Sequence, residues 1–225
     1  MTTAKRDAEQ PAAQPPVADV IREAITRGDF APNQRLVEAE LSEQFDASRA
    51  AVRNALVQLT TEGLVERIQN RGARVRAVSL EEAIEITEVR MAVEGLCAAR
   101  AAERATDEDR SELREIGEQM RAAVSGGDVW GYSELNKRLH SLVLRVSGQQ
   151  TAHEVLSRLR GQNVRHQFRL AMHPGRPSVS LPQHVAIIEA ICATDPAAAE
   201  QAMREHLRSV IDALPEVHRT RTTAL

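Results

Sequence analysis

Apolar positions recur along most of this chain at three- and four-residue intervals, the spacing that lines one face of an α-helix. Val17, Val20, Ile21, Ala24 and Ile25 form the first such stripe, which ends at Gly28. After Ala31-Pro32-Asn33 a short second helix is predicted from about Glu38 to Phe45, with Leu41 and Phe45 inward. Only Asp46-Ala47 separates it from a third helix, in which Val52, Leu56 and Leu59 share a face. Ser48 stands at that helix's N-cap, and Gly63 supplies the left-handed conformation that ends it. Two helices so closely joined have the spacing of a helix-turn-helix. Leu64 to Ile68 and Ala73 to Val78 then read as two short strands joined at Gln69-Asn70-Arg71-Gly72, where asparagine and glycine tolerate positive φ. The expectation for residues 17–78 is three helices and a two-stranded wing.

From Ser79 onward the helical period takes over. Ser79-x-x-Glu82 has the form of a capping box and opens a long helix to about Arg104. Thr106 to Asp109 caps a helix with Leu113, Ile116, Met120 and Val124 on one stripe. Asp128 begins another carrying Leu135, Leu139, Leu142, Val143 and Val146, closed by Gly148. A fourth is predicted from about Thr151 to Met172, ending at Pro174-Gly175-Arg176-Pro177; a fifth from Ser180 and Pro182; and a sixth from Asp195-Pro196, stopped by Pro215. Six amphipathic helices with short links predict an antiparallel six-helix bundle over residues 79–215, and the whole chain reads as mainly α. Residues 1–16, rich in proline, alanine and glutamine, and residues 216–225 are expected to be tails.

Charge sharpens the first half. Net charge is −3 and the pI about 6.2, so any nucleic-acid contact must come from a local patch. Between Ala47 and Arg76 six arginines (49, 53, 67, 71, 74, 76) stand against Glu62 and Glu66. That excess suits phosphates, and equally a solvated charged face. Arg49 and Arg53, one turn apart, share a flank of the third helix. No run approaches the roughly 18–20 apolar residues that span a bilayer, which excludes a membrane helix and places the chain in the cytoplasm. Cys97 and Cys192, far apart in apolar patterns, read as buried free thiols.

Three histidines interrupt the stripes of the second half. His140 lies three residues before Val143, His184 three before Ile187, and His206 three after Met203, so each is expected to point inward. Asn136 is one turn before His140 on the same face. A buried imidazole finds a partner or costs about 1–3 kcal/mol. Singly, each histidine fits a satisfied core residue; three from different helices meeting in one place would fit a metal ion.

Ile25-x-x-Gly28, Pro32, Arg35-Leu36-Val37-Glu38 and Leu41 are followed by Ser48-Arg49-x-x-Val52-Arg53-x-Ala55-Leu56-x-x-Leu59. Glu62-Gly63-Leu64-Val65 and Asn70-Arg71-Gly72-Ala73-x-Val75 complete the set. Together they resemble the GntR family of bacterial transcription regulators over residues 17–78. Asn33 in place of glycine, Ala50-Ala51 in place of Thr-Pro and Asn54 in place of glutamate depart from the family pattern and bear on which operator is read. The resemblance implies that Ser48, Arg49 and Arg53 contact DNA in the major groove, and that the wing tip at Arg71 and Gly72 reaches the minor groove or backbone. An arginine fork on guanine is chemically suited to that task, and Ser48 with the helix N-terminus to a phosphate.

Arg90-x-x-x-Glu94, Asn136-x-x-x-His140, His184 and His206 resemble the FCD ligand-binding domain of the FadR-type subgroup, in its six-helix branch. By that resemblance Asn136, His140, His184 and His206 hold a divalent metal, zinc first, nickel or manganese otherwise, and a small organic acid completes its coordination. Asn136 stands where aspartate is common, which makes all four protein ligands neutral, lowers metal affinity and leaves more of the ion's charge to an anionic effector. Arg90 is the candidate for holding the effector's carboxylate, with Arg165 and Arg169 behind it; pairing with Glu94 is Arg90's alternative role. His153, His166, His173 and His218 read as solvent or loop residues. The expectation is a homodimeric winged-helix repressor or, less often, activator on a pseudo-palindromic double-stranded DNA operator, modulated by a carboxylate at a metal site, with no membrane association. The alternatives are a regulator answering to the metal alone and a helical metalloenzyme. Against the enzyme, no acidic residue adjoins the histidines in sequence as an evident general base.

Overall fold

A computed structural model describes residues 15–68 and 72–219. The order is α1 (Val17–Arg27), β1 (Arg35–Leu36), α2 (Glu38–Gln44), α3 (Arg49–Thr61), β2 (Val65–Ile68), β3 (Gly72–Val75), α4 (Leu80–Arg104), α5 (Asp107–Ser125), α6 (Val129–Ser147), α7 (Gln150–Ala171), α8 (Arg176–Cys192) and α9 (Pro196–Arg219). The chain is mainly helical, a winged helix-turn-helix followed by a six-helix domain.

The N-terminal core gathers the predicted stripes: Ile21 and Ile25 of α1, Leu41 of α2, and Val52, Leu56 and Leu59 of α3, closed by Val65 and Val75 of the wing. Ser48 caps α3, its hydroxyl accepting the Ala51 N–H at 3.1 Å, and Gly63 follows the helix with φ 76°. The wing has three strands rather than two, in the order β1-β3-β2, with Leu36 opposite Ala73 and Val65 opposite Val75. Two residues are too few to show a strand period, yet Leu36 is almost fully buried and its backbone completes the ladder. The predicted turn at residues 69–71, including Arg71, lies outside the described residues; Gly72 opens β3 with φ 90°. Of the predicted N-terminal tail, residues 1–14 also lie outside them.

In the helical domain α4 packs most extensively along α9 and also meets α6, α7 and α8. Leu113, Ile116, Met120, Leu139, Ile187, Ile191, Met203 and Leu207 form its core. Three boundary expectations are corrected. The Ser79 hydroxyl accepts the Glu82 N–H, but the Glu82 carboxylate turns to Arg76, so the expected capping box is half formed and its acid ties the wing's exit to α4. Helix α8 begins at Arg176, after Gly175 at φ 79°, with Pro177 in its first turn and Pro182 inside it. Pro215 does not stop α9, which continues to Arg219: with Leu214 buried beside it, the loss of one ladder bond is tolerated.

The two domains meet along α7. His166 Nε2 donates to the Val78 carbonyl at 3.0 Å. A Cβ placed on Gly161 would lie 3.2 Å from the Glu62 carbonyl oxygen, so α7 and the end of α3 touch backbone to backbone. His166, expected as a solvent or loop residue, is half-buried in α7, whereas His218 is exposed as expected; both line a cavity of about 190 Å³ at this seam.

Candidate DNA-reading surface and histidine cavity

Ser48, Arg49 and Arg53 are exposed on the N-terminal half of α3. The Arg53 fork is engaged with Glu38 of α2, at 2.8 Å from Nη2 and 3.1 Å from Nε. Arg53 by hydrogen bonding, then Arg67 and Arg49 by charge, hold the Glu38 carboxyl below its usual range despite some desolvation. The Glu38 carboxylate thus fills the Arg53 fork. The other acids near the patch have different partners: Glu62 takes Arg22 in two bonds of 2.8 Å, and Glu66 takes Arg74 at 2.6 Å.

The second site is a cavity of about 330 Å³ inside the helical domain. Tyr132, Asn136 and His140 reach it from α6, Arg90 from α4, Arg160 from α7, Arg176 and His184 from α8, and His206 from α9. The three histidines offer ring nitrogens that all lie within 4.8 Å of one another, with ring centroids 4.3 Å apart for His184 and His206 and 5.3 Å for His140 and His206.

Each imidazole is held at Nδ1. His140 Nδ1 is 2.8 Å from Glu94 Oε2, His184 Nδ1 is 2.8 Å from the Tyr132 hydroxyl, and His206 Nδ1 is 3.1 Å from Gln183 Oε1. That pattern directs the three Nε2 atoms to the interior and fixes ring orientation, as outer partners do around metal-binding histidines. Burial drives the affinities of His184 and His206 for a proton well below the ordinary value, reinforced by their neighbours, Arg176 among them; His140 is lowered too, with Glu94 partly opposing. Neutral imidazoles are the form that ligates. Among the described residues His184 Nε2 and Asn136 Oδ1 are buried without a hydrogen-bond partner. With the His184 proton on Nδ1 toward Tyr132, both orphaned atoms are lone-pair donors, and beside two further imidazoles they fit a divalent cation.

Glu94 organises the wall. Its Oε1 accepts from Arg90 Nε at 2.8 Å, while Oε2 accepts from Arg160 Nη2 at 3.1 Å beside His140. Burial alone would raise its pKa, but Arg90, Arg160 and His140 hold the carboxyl well below its usual range. The fold therefore brings to the histidines an acid that is distant in sequence. A carboxylate so heavily paired is a holder of His140 rather than a base.

Arg90 lines the cavity yet is paired with Glu94. Arg169 lines the seam cavity instead, and the side chain of Arg165 lies outside the description. Sequence reasoning missed Tyr132, Arg160 and Arg176. Tyr132 was detectable, since 132, 136 and 140 recur every four residues on one face. Arg176 was not, because Gly175 and Pro177 around it read as a loop.

An arginine-bearing helix and wing followed by a six-helix domain define a DNA-binding transcription regulator. The family model described as bacterial regulatory proteins, gntR family, matches residues 14–75, and that of the FCD domain matches residues 85–209. The chain belongs to the GntR family, carries an FCD domain, and is a regulator, not an enzyme. It is 28% identical over 198 residues to the HTH-type transcriptional repressor RspR of Escherichia coli K12, covering 88% of this chain and 87% of that protein. Its fold matches that of E. coli McbR/YncC with a TM-score of 0.77 at 21% identity, over 90% of this chain and 96% of the other. A Rhodococcus sp. RHA1 structure described as a transcriptional regulator GntR matches with a TM-score of 0.67 at 26% identity, over 89% and 95%.

Proposed function

We propose that this regulator is a homodimeric repressor whose operator binding is relieved by a small organic acid bound beside a divalent metal in the helical domain. The observation that carries the reading is the triad itself, with every Nδ1 held from outside and His184 Nε2 and Asn136 Oδ1 left without partners. Asn136, His140, His184 and His206 would hold the ion, zinc by its preference for imidazole and small coordination number. When bound, the ion supplies charge for an acid's carboxylate. Repression accords with the similarity to RspR.

On the DNA side, Ser48, Arg49 and Arg53 read the major groove, with Arg71 and Gly72 at the wing tip. Arg53 exchanges Glu38 for a base edge or phosphate. Information passes through α7, which carries Arg160 at the cavity and, within two turns, Gly161, Gln162 and His166 at the seam.

The test is cobalt(II) as a spectroscopic stand-in for zinc, added to wild type and His184→Ala, with operator affinity followed on DNA from the chain's own genomic neighbourhood. Tetrahedral-type visible absorption in wild type alone, and DNA binding weakened by an organic acid only in the loaded protein, support the reading. Identical spectra in both proteins would remove the metal site. Release from DNA by metal without any acid would make the ion itself the signal.

A further inference from the structure

Arg176 is buried to nine-tenths on the first turn of α8 and lines the histidine cavity. Its Nη1 donates to the Ser209 carbonyl at 3.3 Å and hydroxyl at 3.1 Å, and its Nη2 has no partner among the described residues. No carboxylate among those residues pairs with it, and burial lowers its pKa from the ordinary value. A guanidinium taken out of water without a counter-ion is costly unless an anion joins it.

The cavity as a whole carries the same imbalance. Among the described residues its lining includes no aspartate or glutamate. Behind the wall Glu94 answers both Arg90 and Arg160, and Lys137, also in the lining, pairs with Glu134, so three guanidiniums meet one carboxylate and two positive charges remain. The excess sits on two helices: Arg160 of α7 bonds Glu94 beside His140, whereas Arg176 of α8 is anchored, among the described residues, only at Ser209 of α9. One carboxylate answers one of the two remaining charges and leaves the other.

We infer that the effector is a small dianionic acid, one carboxylate beside the histidines and a second on the unpartnered Nη2 of Arg176. This rests on the reading of the cavity as the effector site and narrows its ligand to diacids that fit about 330 Å³. Arg90, held by Glu94, lines the wall; Arg176 is the specificity-determining residue.

The experiment is calorimetric titration of the full-length, cobalt-loaded chain with three length-matched pairs: malonate and propionate, succinate and butyrate, glutarate and valerate. At least one diacid should bind about tenfold or more tightly than its monoacid, since a charge-assisted hydrogen bond is lost with the second carboxylate. In Arg176→Met that preference should fall to near unity while cobalt absorption persists. The melting temperature without ligand should hold or rise, because the substitution removes an unpaired buried charge. Arg176→Lys, which keeps the charge without the fork, should retain part of the preference. Equal affinities within all three pairs, no binding by any diacid, or an undiminished preference in Arg176→Met overturns the inference. So does a lowered melting temperature with unchanged ligand preference, which would make Arg176 a structural residue only. Cobalt uptake in the same samples separates the two readings: uptake without diacid preference sinks this inference alone, whereas no uptake by the histidines sinks the metal reading and leaves the Arg176 comparison to be read in the metal-free protein.

Discussion

Glu94 shares two oxygens among Arg90, Arg160 and His140; Glu94, Arg90 and His140 are buried and Arg160 is half-buried. Removing its charge strands two guanidiniums and frees the ring of His140. For Glu94→Gln we expect a loss of stability on the order of 3 kcal/mol, the usual scale for breaking a buried ionic group, measured by urea denaturation. Metal affinity should fall about 10- to 100-fold with the loss of an outer partner to a ligand, read in a cobalt titration. Unchanged stability would mean the carboxylate is not the counter-ion it looks to be. Arg53 is the contrasting case, since its pair with Glu38 is exposed and such pairs stabilise little. Arg53→Ala should leave the melting temperature where it was and weaken operator binding about tenfold or more, with a smaller effect on random duplex; fluorescence anisotropy against both DNAs tests this, and equal losses on the two would reassign Arg53 to phosphate contact.

Among the elements, α7 has the most varied task, because one face serves the cavity and the next turn serves the reading head. Gly63, just beyond α3, has φ 76°, and a Cβ there would lie 2.7 Å from Gln162 Cγ on α7. Gly63→Ala should therefore destabilise by about 1–2 kcal/mol from the left-handed backbone alone, with the contact adding to it. Adding Gln162→Ala should restore only the contact part, and full recovery in thermal melts would show that the backbone is not strained. Helix periodicity made α1, α3 and the six helices of the second domain legible in the sequence, and the inward histidines followed from their stripes. Where the reading failed, it failed for local reasons. The two residues of β1 carry no period, Pro182 and Pro215 sit inside helices held by the burial around them, and Arg176 hid between a glycine and a proline. The partners of the histidines, Glu94, Tyr132 and Gln183, come from other helices or other turns, so only the assembled bundle reveals them.

For the whole molecule, the remaining question is what the bundle does with the apolar residues it leaves outside. On α4 Val89 and Leu96 are exposed by 49% and 43%, seven residues apart and therefore on one face, with the exposed Ala92 between them. Val155 on the adjoining α7 is exposed by 39%. A helix that packs along α9 with one side and shows a second apolar stripe suits a two-fold partner, because a stripe that meets its own copy is self-complementary. Pairing through this face would carry two reading heads on one particle, so that the second head binds at an effective concentration in the millimolar range. Leu96→Glu, placed with Val89→Glu to put like charges across that face, should give a monomer in sedimentation velocity. It should still take up cobalt through the histidines, and bind an isolated half-site as wild type does, while losing about 10²- to 10⁴-fold on a fragment with two half-sites. A dimer that survives both glutamates would move the pairing surface off α4. A monomer that keeps full affinity for the double site would break the link between pairing and operator recognition.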